Sequence, residues 1–229
     1  MRRWWFVKVE QRVYRRVSRF ASRVHGRGPL LVAIGDSLTD PTSEYTFPWQ
    51  VWLRRVGRTG YKTLNLGVAG DTTGDMRRRI EQTLSHGPPE IAVLFGGAND
   101  AFFGVSPAET AQNVTFIVDW LREHGARHIV LMTPGLLNFE QEADSAPAIE
   151  RVRVVLSEVA QRRGALFVDL VGFFRERIED GHDPDCSRVP YRRSRSWHVS
   201  DRDPHYNAYG QRLVAAAFLT ATADWRRPT

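Results

Sequence analysis

Ile91-Ala92-Val93-Leu94-Phe95-Gly96-Gly97-Ala98-Asn99-Asp100 decides the fold of this 229-residue chain. Five apolar residues run without polar alternation and then break on a glycine pair. A strand that is apolar at every position needs cover on both faces, the condition of a parallel sheet between two helical layers. Outward from it, apolar runs at 30–34, 62–66, 128–132 and 165–170 predict four more strands. Helix-period segments fall between them at 47–56, 75–84 and 146–163. Ser106-Pro107-Ala108-Glu109 reads as a capping box with proline at the first helical position, opening a helix to His124 that Gly125 ends. Asn207 is placed to cap a last helix over 208–223. Strand–helix alternation of this kind closes through right-handed crossovers into a parallel sheet. The expected architecture is a three-layer α/β/α sandwich with a central parallel sheet of about five strands. Residues 175–204 show no periodicity, and an irregular segment of that length is more often functional than idle.

Composition narrows the classes. A chain that is 42% hydrophobic and 25% charged is globular, and no apolar run reaches the roughly 18–20 residues needed to span a bilayer. No continuous apolar segment of a secretory leader follows the N-terminus, and the lone cysteine, Cys186, allows no intrachain disulfide and no multi-cysteine zinc site. These features predict a reduced, cytoplasmic protein. The net charge of +6 is concentrated at one end: residues 1–28 hold nine Lys and Arg side chains against Glu10, so the remainder is close to neutral. A nucleic-acid partner is therefore not expected.

In that first segment Phe6, Val9, Val13, Val17, Phe20 and Val24 form one helical stripe, and Gly26 and Gly28 stop it. The chain thus divides into a basic amphipathic helical extension, 1–28, and a main domain, 29–229. The stripe suits packing on its own domain or a second copy. It equally suits an anionic membrane surface, with Trp4 and Trp5 as interfacial anchors, which would make the protein peripheral to the membrane, or an acidic protein partner.

Ligands of an open parallel sheet bind beyond the carboxyl ends of its strands. Four polar, glycine-flanked clusters fall there or just before the last helix: Gly35-Asp36-Ser37-Leu38-Thr39, Asn65-Leu66-Gly67-Val68-Ala69-Gly70-Asp71, Gly97-Ala98-Asn99-Asp100 and Asp203-Pro204-His205. Each alone is a common turn sequence. In this order they resemble the four signature blocks of the SGNH hydrolases, the GDSL esterases and lipases, across nearly the whole chain after residue 28. The resemblance implies the flavodoxin-like SGNH fold, with Ser37 as nucleophile, His205 as its base, and Ser37, Gly70 and Asn99 as the oxyanion hole. It implies hydrolysis of a small carboxylic ester or thioester through an acyl-serine, as an acyl esterase, deacetylase or thioesterase, without a cofactor or metal. An acyltransferase using the same acyl-serine is the alternative, and an inactive membrane or scaffold adaptor is a remote one.

The chemistry stands without the family name. A serine hydroxyl is a weak nucleophile at neutral pH and needs a base within hydrogen-bond reach. The oxyanion of the tetrahedral intermediate needs fixed donors, and a glycine lets the backbone approach closely. The sequence departs from the family at the acid. The family's aspartate stands three residues before the histidine, where this chain has Arg202. Asp203 is the preferred orienting acid, with Asp201 or an acid-free dyad as alternatives. Asp36 and Asp100 read as turn-holding hydrogen bonders. Trp49 and Trp52 read as core, and His86, His124 and His128 as surface residues. His182, Asp183, Asp185, Cys186 and His198 match no familiar metal-ligand spacing. Arg192, Arg193 and Arg195 read either as solvated loop or as a basic lip for a phosphate-bearing acyl carrier.

Overall fold

A computed structural model describes residues 28–40, 49–50, 53, 60–135, 139–179, 198–200, 203–206 and 208–226. The basic extension, Trp52, the arginine lip, Asp201 and the Asn207 cap lie outside them, as do the side chains of His182, Asp183, Asp185, Cys186, His198 and Asp203.

Five parallel strands form the sheet: β1 (Leu30–Gly35), β2 (Lys62–Gly67), β3 (Ile91–Phe95), β4 (His128–Met132) and β5 (Leu166–Val168), in the order β2-β1-β3-β4-β5. The order reverses at β1, between β2 and β3, so the β1 end is the switch point where a parallel sheet opens a crevice. Successive side chains of a strand point to opposite faces, and the two cores follow that alternation. Leu31, Ala33, Val93 and Val130 pack with Trp49, Phe174, Val214 and Phe218. Val32, Ile34, Leu94 and Leu131 pack with Met76, Val114, Ile117 and Val159. Both faces are covered, which is why Ile91–Phe95 is buried throughout.

The second core rests on α1 (Thr73–Arg78), α3 (Pro107–Glu123) and α4 (Phe139–Arg163). The first rests on α5 (Leu170–Glu179) and α6 (Ala208–Ala221). Between β3 and α3 lies the six-residue α2 (Ala98–Phe103), which the sequence reading did not separate from its loop. Ser106 caps α3 by accepting from the Glu109 N–H, the N-cap half of the expected capping box, and Pro107 stands in the first turn as expected. Trp49 is fully buried, and Trp49, Gln50 and Leu53, the described residues of the expected second helix, are helical.

Three elements depart from the sequence reading. The helix expected over 75–84 is split: α1 ends at Arg78, and a 3-10 turn (Ile80–Leu84) follows Arg79, whose φ of −113° and ψ of 16° leave the helical region. The true start of α1 is a capping box that the sequence reading passed over. Thr72 accepts from the Asp75 N–H, and Asp75 accepts from the Thr72 N–H. The segment expected to be irregular contains the second half of α5, the strand β6 (His198–Ser200) and the start of its antiparallel partner β7 (Asp203–Tyr206). Strands of three and four residues are too short for periodicity to register. Among the described residues no helix is long and apolar enough to cross a membrane.

Candidate active site

The chain leaves β1 through a single tight turn. Gly35 begins it because a Cβ there would lie 2.4 Å from the Phe95 carbonyl and 2.5 Å from the Thr39 hydroxyl. The Asp36 carbonyl accepts from the N–H groups of Thr39 (3.1 Å) and Asp40 (2.9 Å). The Asp36 carboxylate accepts from the Leu38 N–H at 2.9 Å. Asp36 therefore holds the turn that presents Ser37, as its residue type suggests. The second carboxylate oxygen, Oδ2, is buried without a hydrogen-bond partner among the described residues. Burial, partly offset by the Leu38 N–H and by His205, pushes the Asp36 carboxyl up to about 7.

The second loop crosses in front of β1. Val68 N–H donates to the Gly35 carbonyl at 3.0 Å and Ala69 N–H to the Asp40 carboxylate at 3.0 Å. Asn65 donates to the Thr39 carbonyl at 2.6 Å and accepts from the Gly67 N–H at 2.8 Å. At the tip of this loop Gly70 has φ +86°, a left-handed conformation that favours glycine, and a Cβ built there would meet nothing within 4 Å. The space where a side chain would stand is therefore open at this loop tip.

The third loop turns on Gly97 (φ +103°) into α2, placing Asn99 one residue inside the helix. Asn99 Nδ2 donates to the Asp71 carbonyl at 2.9 Å, joining the second and third loops beside Gly70. Asp100 is fully buried and turns the other way. It accepts from the Thr73 N–H (2.9 Å), the Thr73 hydroxyl (2.5 Å) and the Thr110 hydroxyl (3.1 Å), tying α2 to the starts of α1 and α3.

The fourth block arrives on β7. Tyr206 is its anchor: its ring is buried against Phe174, 5.5 Å between centroids, and its hydroxyl is hydrogen-bonded to the Gly135 backbone. Burial pushes that phenol well above the usual tyrosine range. His205 next to it is half-buried and near enough to Asp36 to favour the charged carboxylate. Gln211 Nε2, in the first turn of α6, donates to the Leu38 carbonyl at 3.3 Å and ties that helix to the nucleophile turn. The structure thus gathers Ser37, Gly70, Asn99 and His205 at one edge of the sheet.

One residue of this edge had no signal in the sequence. Arg79 stands in an Arg77-Arg78-Arg79 run that reads as solvated charge, yet its side chain is only 14% exposed. Its guanidinium donates to the Asp71 carboxylate (2.5 Å), the Leu66 carbonyl (2.6 Å) and the Gly35 carbonyl (3.1 Å). Burial raises the Asp71 pKa, and the hydrogen bond from Arg79 opposes it. Among the described residues no cluster of His, Cys, Asp or Glu is arranged to hold a metal.

Comparison with known proteins follows the same blocks. Residues 33–213 match the GDSL-like Lipase/Acylhydrolase family. The chain is 23% identical to the acetylxylan esterase of Geobacillus stearothermophilus over 88% of its own length and 98% of that enzyme's. It is 29% identical to Esterase TesA of Pseudomonas aeruginosa over 105 residues, spanning about half (52%) of that relative's length. The solved structure of the Geobacillus esterase superposes with a TM-score of 0.67 at 21% identity, over 89% of this chain and 99% of that one. LAE5, an alpha/beta hydrolase from the metagenome of Lake Arreo, superposes with a TM-score of 0.68 at 22% identity, over 89% and 99%. At these identities the superpositions establish a shared fold. Solved catalytic mutants of the Geobacillus esterase replace a serine, an aspartate and a histidine, the last two three residues apart.

Proposed function

The chain belongs to the GDSL-like lipase/acylhydrolase family, a family of carboxylic ester hydrolases, and from that membership we propose that it cleaves a small carboxylic ester or thioester through an acyl-serine on Ser37. The observation that carries the reading is the hydrogen bond from Asn99 to the Asp71 carbonyl. A primary amide has two N–H donors. One is spent on holding the loop, and the other remains for an oxyanion beside the Gly70 N–H.

The reaction proceeds in two halves. Ser37 Oγ attacks the carbonyl carbon as its proton passes to His205. The carbonyl oxygen becomes an oxyanion and accepts from the Ser37 N–H, the Gly70 N–H and the Asn99 amide. Collapse of the intermediate expels the alcohol or thiol, which takes the proton from His205. Water then gives a proton to His205 and attacks the acyl-serine, and a second collapse releases the acid as His205 returns that proton to the departing Ser37 Oγ.

Asp203 is the proposed acid that orients His205. In a turn or helix, residues three apart share a face; in an extended strand, residues two apart do. β7 is a strand, so an Asp-x-His spacing suits it where the family's spacing of three would not. The burial of Tyr206 beside a half-exposed His205 has the same period of two.

The experiment is hydrolysis of p-nitrophenyl acetate, butyrate and octanoate by wild type and Ser37→Ala side by side. Activity that disappears in the variant supports the nucleophile, and the chain-length preference sizes the acyl site. Equal activity in both would overturn the reading.

A further inference from the structure

We infer that Arg79 is a positioning residue that holds the oxyanion-hole loops in register with the nucleophile. The inference rests on the reading of Ser37, Gly70 and Asn99 above. Each acceptor of the Arg79 guanidinium belongs to a segment that carries one of them. The Gly35 carbonyl, at 3.1 Å, lies two residues before Ser37 at the end of β1. Leu66, whose carbonyl accepts at 2.6 Å, opens the second loop at the end of β2. The Asp71 carboxylate, at 2.5 Å, follows Gly70 directly, and the Asp71 carbonyl is the acceptor of Asn99. A single planar cation thereby cross-links the nucleophile strand, the glycine donor loop and, through Asp71, the asparagine donor.

The physical reason for an arginine lies in this geometry. Three acceptors, one at the end of β1 and two from the end of β2 into the loop after it, call for donors spread over a rigid plane. A lysine ammonium concentrates its donors on one nitrogen and cannot span them. The Gly35 carbonyl accepts from the Val68 N–H as well as from Arg79, so the guanidinium joins a junction that the second loop already makes with β1. The low exposure of both Arg79 and Asp71 keeps water from screening the ion pair. Arg79 stands at this junction as the C-cap of α1, at the break between α1 and the 3-10 turn.

Removing the guanidinium leaves Gly70 and Asn99 in place chemically but no longer fixed. Donors displaced by about 1 Å lose most of their advantage in the transition state while ground-state binding changes little. The test measures kcat and KM of Arg79→Met and Arg79→Lys per active site, with sites counted by endpoint labelling with a fluorophosphonate. The expected result is a roughly 10- to 100-fold fall in kcat per labelled site for both variants, with KM within about threefold of wild type. A purely structural role would lower the melting temperature and the labelled fraction but leave kcat per labelled site unchanged, and that result overturns the inference. If Arg79→Met does not fold, Arg79→Lys decides alone, because wild-type kcat per site in the lysine variant is equally fatal. Ser37→Ala runs beside them: hydrolysis that survives in it refutes the functional reading, whereas hydrolysis lost in it but retained in both Arg79 variants refutes only the role of Arg79.

Discussion

The side-chain amide of Asn99 donates to the backbone carbonyl of Asp71 at 2.9 Å, linking the loop after β3 to the loop after β2. A sheet-edge site is built from loops that are distant in sequence, and its donors need a common frame. This bond supplies part of that frame and uses one of the two amide protons, leaving the other for the proposed oxyanion hole.

Asn99→Ala removes both the donor and the tie. The expected kcat loss is about 10² to 10³, with KM changing little, because the amide meets the oxyanion only after the carbonyl carbon becomes tetrahedral. Steady-state kinetics on a p-nitrophenyl ester checks it, and a variant with full kcat takes Asn99 out of the oxyanion hole.

Asp100, next in the chain, has a structural task that separates cleanly from that of Asn99. Its buried carboxylate serves two hydroxyls and the Thr73 N–H. Asp100→Ala strands those donors and should cost roughly 2 to 4 kcal/mol of stability. Chemical denaturation at neutral pH measures the loss, and a cost under about 0.5 kcal/mol contradicts the assignment.

The pH dependence of stability should carry the mark of Asp36. Its carboxyl titrates near 7 in the folded protein against 3.8 when unfolded. Between those values the folded state holds the extra proton, so stability falls as pH rises, by up to about 1.4 kcal/mol per pH unit from this group. Below 3.8 the group makes no further difference, and above 7 its penalty is complete. Asp36→Asn keeps an acceptor for the Leu38 N–H and removes the titration. Its unfolding free energy should be flatter than wild type between pH 4 and 7, and parallel curves would refute the shift.

The orienting acid is tested by Asp203→Asn and Asp201→Asn in parallel. Loss of the acid disturbs the His205 tautomer, and a fall in kcat of up to about 10⁴ has precedent in serine triads. The strand geometry of β7 assigns the larger loss to Asp203. A larger loss in Asp201→Asn would transfer the role.

Much of this protein is written in local sequence. Ile91–Phe95 declares a strand covered on both faces, because solvent cannot accept five consecutive apolar side chains. Ser106-Pro107 declares the start of a helix, because an N-cap oxygen and a residue without an N–H both suit a helix whose first donors are unpaired. Ser37, Gly70, Asn99 and His205 could be picked out as a set because their four blocks, in order, resemble the signature blocks of the family. Other features were decided only when the chain closed on itself. Arg79 has the same composition signal as its neighbours, and Arg78 is mostly exposed. What distinguishes Arg79 is that the carbonyls of Gly35 and Leu66 and the carboxylate of Asp71 converge on it across 44, 13 and 8 residues of chain. The same holds for Asp36, whose ionisation is set first by its burial in the folded protein and only then by the Leu38 N–H beside it. Periodicity reports which way a side chain points, but a buried hydrogen bond between distant segments exists only in the tertiary arrangement, where desolvation makes each unmet donor or acceptor costly.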